Sequence, residues 1–135
     1  MNYPQDLEKL INYFQKLPGI GEKSAERLAI ATLDFSEEEI EEFSDAIKLA
    51  KKNLTRCSIC GHLTDQEICN ICSDENRNKN VICVIEDYKS IFSFEKSGTF
   101  NGTYHVLNGL ISPMDDIGPE DINLSSLVSR VEALD

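Results

Sequence analysis

The sequence predicts an α+β chain built in three unlike parts: a helix-hairpin-helix, a small four-cysteine finger, and a partial parallel α/β unit. Three observations carry that reading. Apolar residues recur at three- and four-residue spacings on both sides of "PGIG", four of the five cysteines stand in two CxxC pairs, and the remainder alternates strand and helix patterns. The predicted parts span residues 1–54, 55–77 and 78–135. With 135 residues, 41% hydrophobic and 27% charged, the chain can make one ordinary domain or two to three small ones that share little core.

In the first part, Leu7, Leu10, Ile11, Phe14 and Leu17 place one apolar stripe on a helix over 5–17. Pro18 ends it by removing the amide the next turn needs, and Gly19 and Gly21 supply the backbone freedom for a tight reversal. A second helix over 22–33 brings Ala25, Leu28, Ala29 and Thr32 to one side, small residues that let it approach the first closely. A third opens at Ser36, whose side chain can cap the amide of Glu39 while Glu39 reaches back, and the acids at 37–39 suit the positive end of the helix dipole. Its stripe is Ile40, Phe43, Ile47, Ala50 and Leu54.

Periodicity stops at residue 55. Residues 57–72, "CSICGHLTDQEICNIC", are too polar to form a core of their own, and "SDENRNKN" links them to the last part. There "VICVIE" (81–86) suits a strand buried on both faces, 88–96 a helix anchored by Ile91 and Phe94, "YHVLN" a second strand, and "LSSLVSRVEAL" a helix with Leu127, Val128, Val131 and Leu134 together. Two parallel strands cannot shelter the apolar faces of two helices, so the expectation is of a fragment whose sheet has at least one further strand.

The formal net charge of -11 weighs against a simple nucleic-acid binder, because affinity for a phosphate backbone comes mainly from Lys and Arg. Any contact with DNA must be local. Residues 34–45 hold seven acids and no base, which reads as a solvated helix face, while Lys23, Arg27, Lys48, Lys51, Lys52 and Arg56 lie on either side. The start lacks a basic stretch followed by an apolar run, and no segment approaches about 20 apolar residues, so neither export nor membrane insertion is expected and the expected location is the cytoplasm.

Cys57, Cys60, Cys69 and Cys72 have the spacing with which two thiolate knuckles grip one metal ion. Zinc suits four sulfurs best, and a filled thiolate shell leaves no open position for water, so the site is structural. Two disulfides, a redox pair and an iron-sulfur cluster are the weaker alternatives in a reducing compartment. His62 reads as a residue of the finger surface rather than a ligand, Cys83 as a small hydrophobe of the strand, and His105 as a satisfied strand residue. The finger is expected to brace the helical part against the α/β part.

The hairpin admits two readings. Gly21, Glu22 and Lys23 begin the second helix with free amides at the positive dipole end, where a phosphate can bind; Lys23 and Arg27 lie on one face and Ser24 can donate one more bond. Alternatively, the Pro and Gly residues only form a turn, and Glu22 and Glu26 neutralise the two bases.

Together "LPGIGEKSAERLA", "CSICGHLTDQEICNIC" and "VICVIEDYKS…YHVLNGLISPMDDIGPEDI" resemble, in order and spacing, the RecR recombination-mediator family of bacterial DNA repair. The resemblance implies that residues after about 80 belong to a Toprim domain, a Rossmann-like parallel fold, and that the chain is truncated within it. It implies a mediator without chemistry of its own, acting with RecO and RecF to place RecA on gapped single-stranded DNA coated by single-strand-binding protein. It also implies a homo-oligomer, dimer or tetramer ring, with Gly19, Gly21, Lys23, Ser24 and Arg27 directed toward single-stranded, double-stranded or gapped DNA. Asp116 stands where the family often has glycine, which implies a modified loop.

Catalytic Toprim domains hold magnesium on a glutamate after the first strand and a later pair of aspartates, and Glu86 matches only the first of these. One carboxylate does not make such a site. Asp87, Asp115, Asp116, Glu120 and Asp121 are acids of the right type but stand in turns and helix starts, where capping accounts for them. No serine or cysteine nucleophile has a recognisable partner, and no phosphate-cradling GxxxxGK loop is present, so no enzyme is expected, with a Toprim-type magnesium enzyme or a pure interaction module as the alternatives.

Overall fold

Apolar spacing and cap chemistry set the helices of the first part. A computed structural model describes residues 2–134, which divide into two compact units with their boundary between Lys52 and Asn53. In the first, α1 (Gln5–Gln15) and α2 (Glu22–Thr32) pack through fully buried Ile11, Ala25 and Ala29, with Leu7, Leu10, Phe14 and Ile20 around them. Alanines on α2 bring the two backbones close, as expected. Helix α3 (Glu37–Asn53) has the expected reciprocal cap: the Glu39 amide donates to Ser36 Oγ at 3.1 Å, and the Ser36 amide to Glu39 Oε1 at 3.4 Å.

The stripe on α3 departs from what its period suggests. Ile40, Phe43 and Ile47 are 40%, 40% and 60% exposed, and no residue of α3 is buried. They form one wall of an open apolar groove of about 690 Å³, whose other side is built by Leu10, Tyr13, Phe14 and Leu17 with Leu33 and Phe35 at its end. A helical period fixes which face is apolar, not what covers it.

The second unit contains the finger and the α/β part. Two short antiparallel strands, β1 (Thr55–Arg56) and β2 (Leu63–Thr64), carry the first cysteine pair, and the four-residue helix α4 (Asn70–Ser73) carries the last cysteine. Strand β3 (Ile82–Ile85), helix α5 (Lys89–Ser97), strand β4 (Thr103–Val106) and helix α6 (Leu124–Glu132) follow in the predicted order. The strands pair in parallel, with Ile82 opposite Thr103 and Ile85 opposite Val106. Every residue of β4 is buried, whereas Val84 of β3 is 44% exposed, so only β4 is covered on both faces. This corrects the expectation for "VICVIE": among the described residues no second layer covers Val84 of β3. Val128 and Val131 of α6 are likewise 49% and 53% exposed.

The core of this unit is Ile91, Tyr104 and Val106, joined by Cys83, Ile85, Tyr88 and Phe100. Arg77 holds the element before β3 in place, binding the Glu95 carboxylate of α5 and the carbonyls of Phe100 at 3.4 Å and Gly102 at 3.3 Å. Tyr104 completes this network through its hydroxyl, which donates to Glu95 Oε2 at 2.6 Å. The edge of β4 away from β3 also has partners: the Val106 amide donates to Cys60 O at 2.7 Å, Asn123 Nδ2 to Val106 O at 3.1 Å, and Arg130 Nη1 to Tyr104 O at 2.6 Å.

His105, 1% exposed, is satisfied as expected. It stands 2.7 Å from Asn123 O through Nε2 and 3.0 Å from Arg130 Nη1 through Nδ1; since Arg130 can only donate, Nδ1 accepts and Nε2 carries the proton. Burial, foremost, and the Arg130 charge hold its pKa below the ordinary range, although the Asn123 carbonyl acts in the opposite sense. Among the described residues no helix is long and apolar enough to cross a membrane.

Candidate metal centre and nucleic-acid hairpin

The two CxxC knuckles meet as their spacing requires. One ligand sulfur from each of Cys57, Cys60, Cys69 and Cys72 lies within 4.8 Å of the others, and all four residues are buried. The Cys60 and Cys69 sulfurs are 3.6 Å apart. A zinc ion with Zn–S bonds of about 2.3 Å sets its tetrahedral edges at about 3.8 Å, so the arrangement fits one such ion. Backbone amides turn toward the sulfurs: His62 N–H to Cys60 at 3.3 Å, Cys69 N–H to Cys57 at 3.3 Å, and Cys72 N–H to Cys69 at 3.4 Å. They stabilise thiolate character in a site nearly closed to water.

Hydrogen bonds from Cys60 and then Cys72 hold the Cys69 pKa far below the thiol range, while the hydrogen bond to Cys69 is the largest of the effects that drive Cys60 far above it. Four sulfurs at this separation cannot all ionise unless a positive ion sits among them.

Gly61 makes the first knuckle possible. Its φ is 84°, its amide donates to Cys57 O at 2.9 Å, and a Cβ placed there would lie 3.2 Å from Val106 Cβ. The knuckle is therefore seated directly on β4. Lys79 Nζ binds Cys72 O, and Arg56 Nη1 donates to Asn108 Oδ1 at 3.3 Å while its guanidinium lies 4.3 Å from the Tyr88 ring centre. These contacts attach the finger to the α/β part. His62 is not on the finger surface as predicted: it is 8% exposed, packed 5.1 Å from Phe92 between ring centres, and outside the sulfur cluster. The aromatic residues that bury it, Tyr88 and Phe92, stand on and beside α5, far along the chain.

At the hairpin, Gly19 has φ 81°, while Gly21 sits at φ -83°, ψ 179° as the residue before α2. No side chain caps this helix. The first bonded amide is that of Ala25, to Gly21 O at 2.9 Å, so the amides of Glu22, Lys23 and Ser24 precede the helical ladder. Lys23, Ser24 and Arg27 are exposed, and among the described residues neither base has a carboxylate within salt-bridge distance. That favours the phosphate reading over mutual neutralisation by Glu22 and Glu26.

Glu86 stands exposed just past β3, and among the described residues it joins no group of potential metal ligands. Three of the other acids cap turns: Asp87 Oδ1 accepts from the Lys89 amide at 3.0 Å, Asp115 Oδ2 from Ser112 Oγ at 3.1 Å, and Asp121 Oδ2 from the Gly118 amide at 2.8 Å. Asp116 adopts φ 57°, ψ 37°, a left-handed turn that aspartate tolerates better than most residues. Arg56 is the notable residue that sequence spacing did not single out. It was legible only as one of the bases flanking the acidic run, yet it places a fixed positive charge at the carboxyl end of the parallel strands through Asn108.

Three family profiles match in chain order: RecR, helix-hairpin-helix, over residues 7–51; the RecR zinc finger domain with four cysteine ligands, over 54–74; and a Toprim domain over 80–133. The Recombination protein RecR of Staphylococcus aureus strain MRSA252 is 52% identical over 132 residues, covering 98% of this chain and 67% of that protein. The protein of the same name from strain JH9 is 51% identical over 133 residues, with the same coverage. By these matches and by the sulfur cluster seated beside a parallel sheet, the chain belongs to the RecR family.

Proposed function

We propose that this chain is a DNA-binding recombination mediator that works without chemistry of its own. The hairpin is its phosphate contact, through the backbone at Gly19 and Gly21 and the side chains of Lys23, Ser24 and Arg27. The observation that carries this reading is the uncapped start of α2, with three amides ahead of the helical ladder beside two bases that have no acid partner among the described residues. Contacts of this kind are independent of base sequence. One zinc ion on Cys57, Cys60, Cys69 and Cys72 is structural, and holds the finger to the sheet.

In this reading the chain acts in the bacterial cytoplasm, at the nucleoid, with RecO and RecF, and so helps load RecA onto gaps covered by single-strand-binding protein. Self-association into a dimer or a tetramer ring multiplies a weak phosphate site, so a protein of net charge -11 can hold DNA at several inward points while its acidic surface stays free for protein partners. The working division is 1–54 for the DNA hairpin, 55–77 for the finger and 78–135 for the Toprim part.

One observation opposes the Toprim-enzyme alternative: the Arg56 guanidinium, bonded to Asn108 at the same strand ends as Glu86, repels a dication. The test is DNA binding by Lys23→Ala/Arg27→Ala. Losing two phosphate contacts should lower the salt dependence of log K by about 1.4 to 1.8, the range from single-stranded to duplex DNA. Unchanged affinity and slope at low salt would reject the hairpin as the DNA contact.

A further inference from the structure

Six bases stand in the described part of the second unit, and their partners divide them. Arg77 is taken up by Asp74 and Glu95, Lys79 by the carbonyl of Cys72, and Arg130 by the carbonyl of Tyr104 and the ring of His105. The other three, Arg56, Lys89 and Lys96, have no carboxylate within salt-bridge distance among the described residues. All three border one cluster of rings. Tyr88 and Phe92 stand edge to face with centres 6.2 Å apart, and His62 lies beneath, 5.1 Å from Phe92. The His62 side chain is held there by ring packing, since its buried Nδ1 has no hydrogen-bond partner among the described residues. Phe92 is the outer member, 49% exposed. Lys89 and Lys96 come three residues before it and four after, on the same face of α5, and both are exposed. Beside them the Arg56 guanidinium lies over Tyr88; its Nη1 donates to Gly61 O and Asn108 Oδ1, while its Nε and Nη2 have no partner among the described residues.

We propose that this face of α5 is a second nucleic-acid contact, selective for single-stranded DNA: an unpaired base stacks on Phe92, and Arg56, Lys89 and Lys96 meet the phosphates on either side of it. A half-exposed ring fixed by its neighbours and flanked by unneutralised bases is the arrangement on which single strands are held, because every base offers a flat face and every link a negative charge. Arg56, stacked on Tyr88 with donors to spare, suits a phosphate or a base edge. Charge alone makes a poor site here. Glu86 and Asp87 come directly before Tyr88, so three bases stand against two acids. A duplex, whose base faces are covered by their stacked neighbours, presents only phosphates to such a surface and gains little from it. The surface goes beyond the hairpin, which meets phosphates alone, by adding a preference for unpaired bases.

The test uses the full zinc-loaded chain and two oligomers of equal length and charge, an oligothymidylate and its abasic counterpart. The parent chain should prefer the thymidylate, since backbone contacts at the hairpin do not distinguish the two. Phe92→Leu keeps an apolar side chain over His62 but removes the ring face. It should weaken thymidylate binding by about fivefold to a hundred-and-fiftyfold, the range for one stacked base, and leave abasic binding unchanged. Phe92→Trp should bind thymidylate at least as tightly as the parent. Lys89→Ala/Lys96→Ala should lower the salt dependence of log K on the single strand by about 1.4. Irradiating the complex with an oligomer that carries 5-iodouracil should join it to the peptide containing Phe92, as mass spectrometry reads. Circular dichroism and zinc content identify any variant that fails to fold, and the crosslink and the parent's own preference then decide.

A parent chain that binds both oligomers equally, a folded Phe92→Leu variant that keeps the full preference, or crosslinks confined to the first unit would each overturn the stacking surface, leaving the hairpin and its Lys23 and Arg27 test standing. Binding to neither oligomer overturns both contacts.

Discussion

Replacing Gly61 by alanine tests whether the zinc knuckle is truly built on the sheet. The added methyl meets two separate penalties. A φ of 84° costs an L-residue about 1 to 2 kcal/mol, and a Cβ at 3.2 Å from Val106 Cβ forces a shift costing about 1 kcal/mol. Loss of chain entropy in the unfolded state returns about 0.4 to 1 kcal/mol, leaving a net cost of about 1 to 2.6 kcal/mol. Because metal binding and folding of this unit are one process, the same free energy should appear as zinc affinity lowered by about fivefold to eightyfold. A competition titration against a chromophoric chelator reads this directly. Gly19→Ala is the control: its φ is 81° with nothing within 4 Å of the new Cβ, and it lies in the other unit, so it should lower stability by about 1 kcal/mol and leave zinc affinity alone. Equal zinc affinities for the Gly61→Ala and parent chains would refute the seating of the knuckle on β4.

Chelation of zinc should unfold residues 53–135 while the α1–α2 pair stays helical, since structural zinc in a small finger is worth on the order of 10 kcal/mol and the first unit contains none of the ligands; proteolysis with and without chelator reads the boundary. Glu95→Gln should cost about 2 kcal/mol by removing the charged partner of Arg77, measured by urea unfolding. Because Arg77 holds the Glu95 carboxyl below its ordinary pKa, that stabilisation is present above the ordinary Glu range and is lost as pH falls through the folded-state value, a decline the Gln variant should not show. His105 shifts stability in the same direction: its neutral form is favoured by folding, so acidification below the ordinary His range should weaken the contact between β4 and α6, and Arg130→Gln should reduce that slope.

The parts of the site that depend on local chemistry were legible in the sequence. Two CxxC pairs specify a four-sulfur cluster because the knuckle geometry is internal to each pair, and the reversal at Gly19 follows from its positive φ. Elements that depend on distant partners were not legible. His62 is buried by Tyr88 and Phe92, and Val84 is left open because nothing among the described residues lies over that face of the sheet; neither fact has a local signature. The Arg77, Glu95 and Tyr104 network joins residues 9 to 18 positions apart, and a carboxylate falling one residue after Phe94 on a helix face directed at the sheet was its one faint signal. The stripe on α3 shows the same limit from the other side, since its period was correct and its covering was absent.

The hydrogen bonds on the outer edge of β4 determine how this sheet can grow. With one amide bonded to the finger and two carbonyls claimed by Asn123 and Arg130, that border offers an incoming strand almost no free ladder, which guards against edge-to-edge aggregation. Any additional strand, from the same polypeptide or another, must therefore align on the far side of β3, so the sheet extends in one direction only and the metal knuckle marks its permanent end.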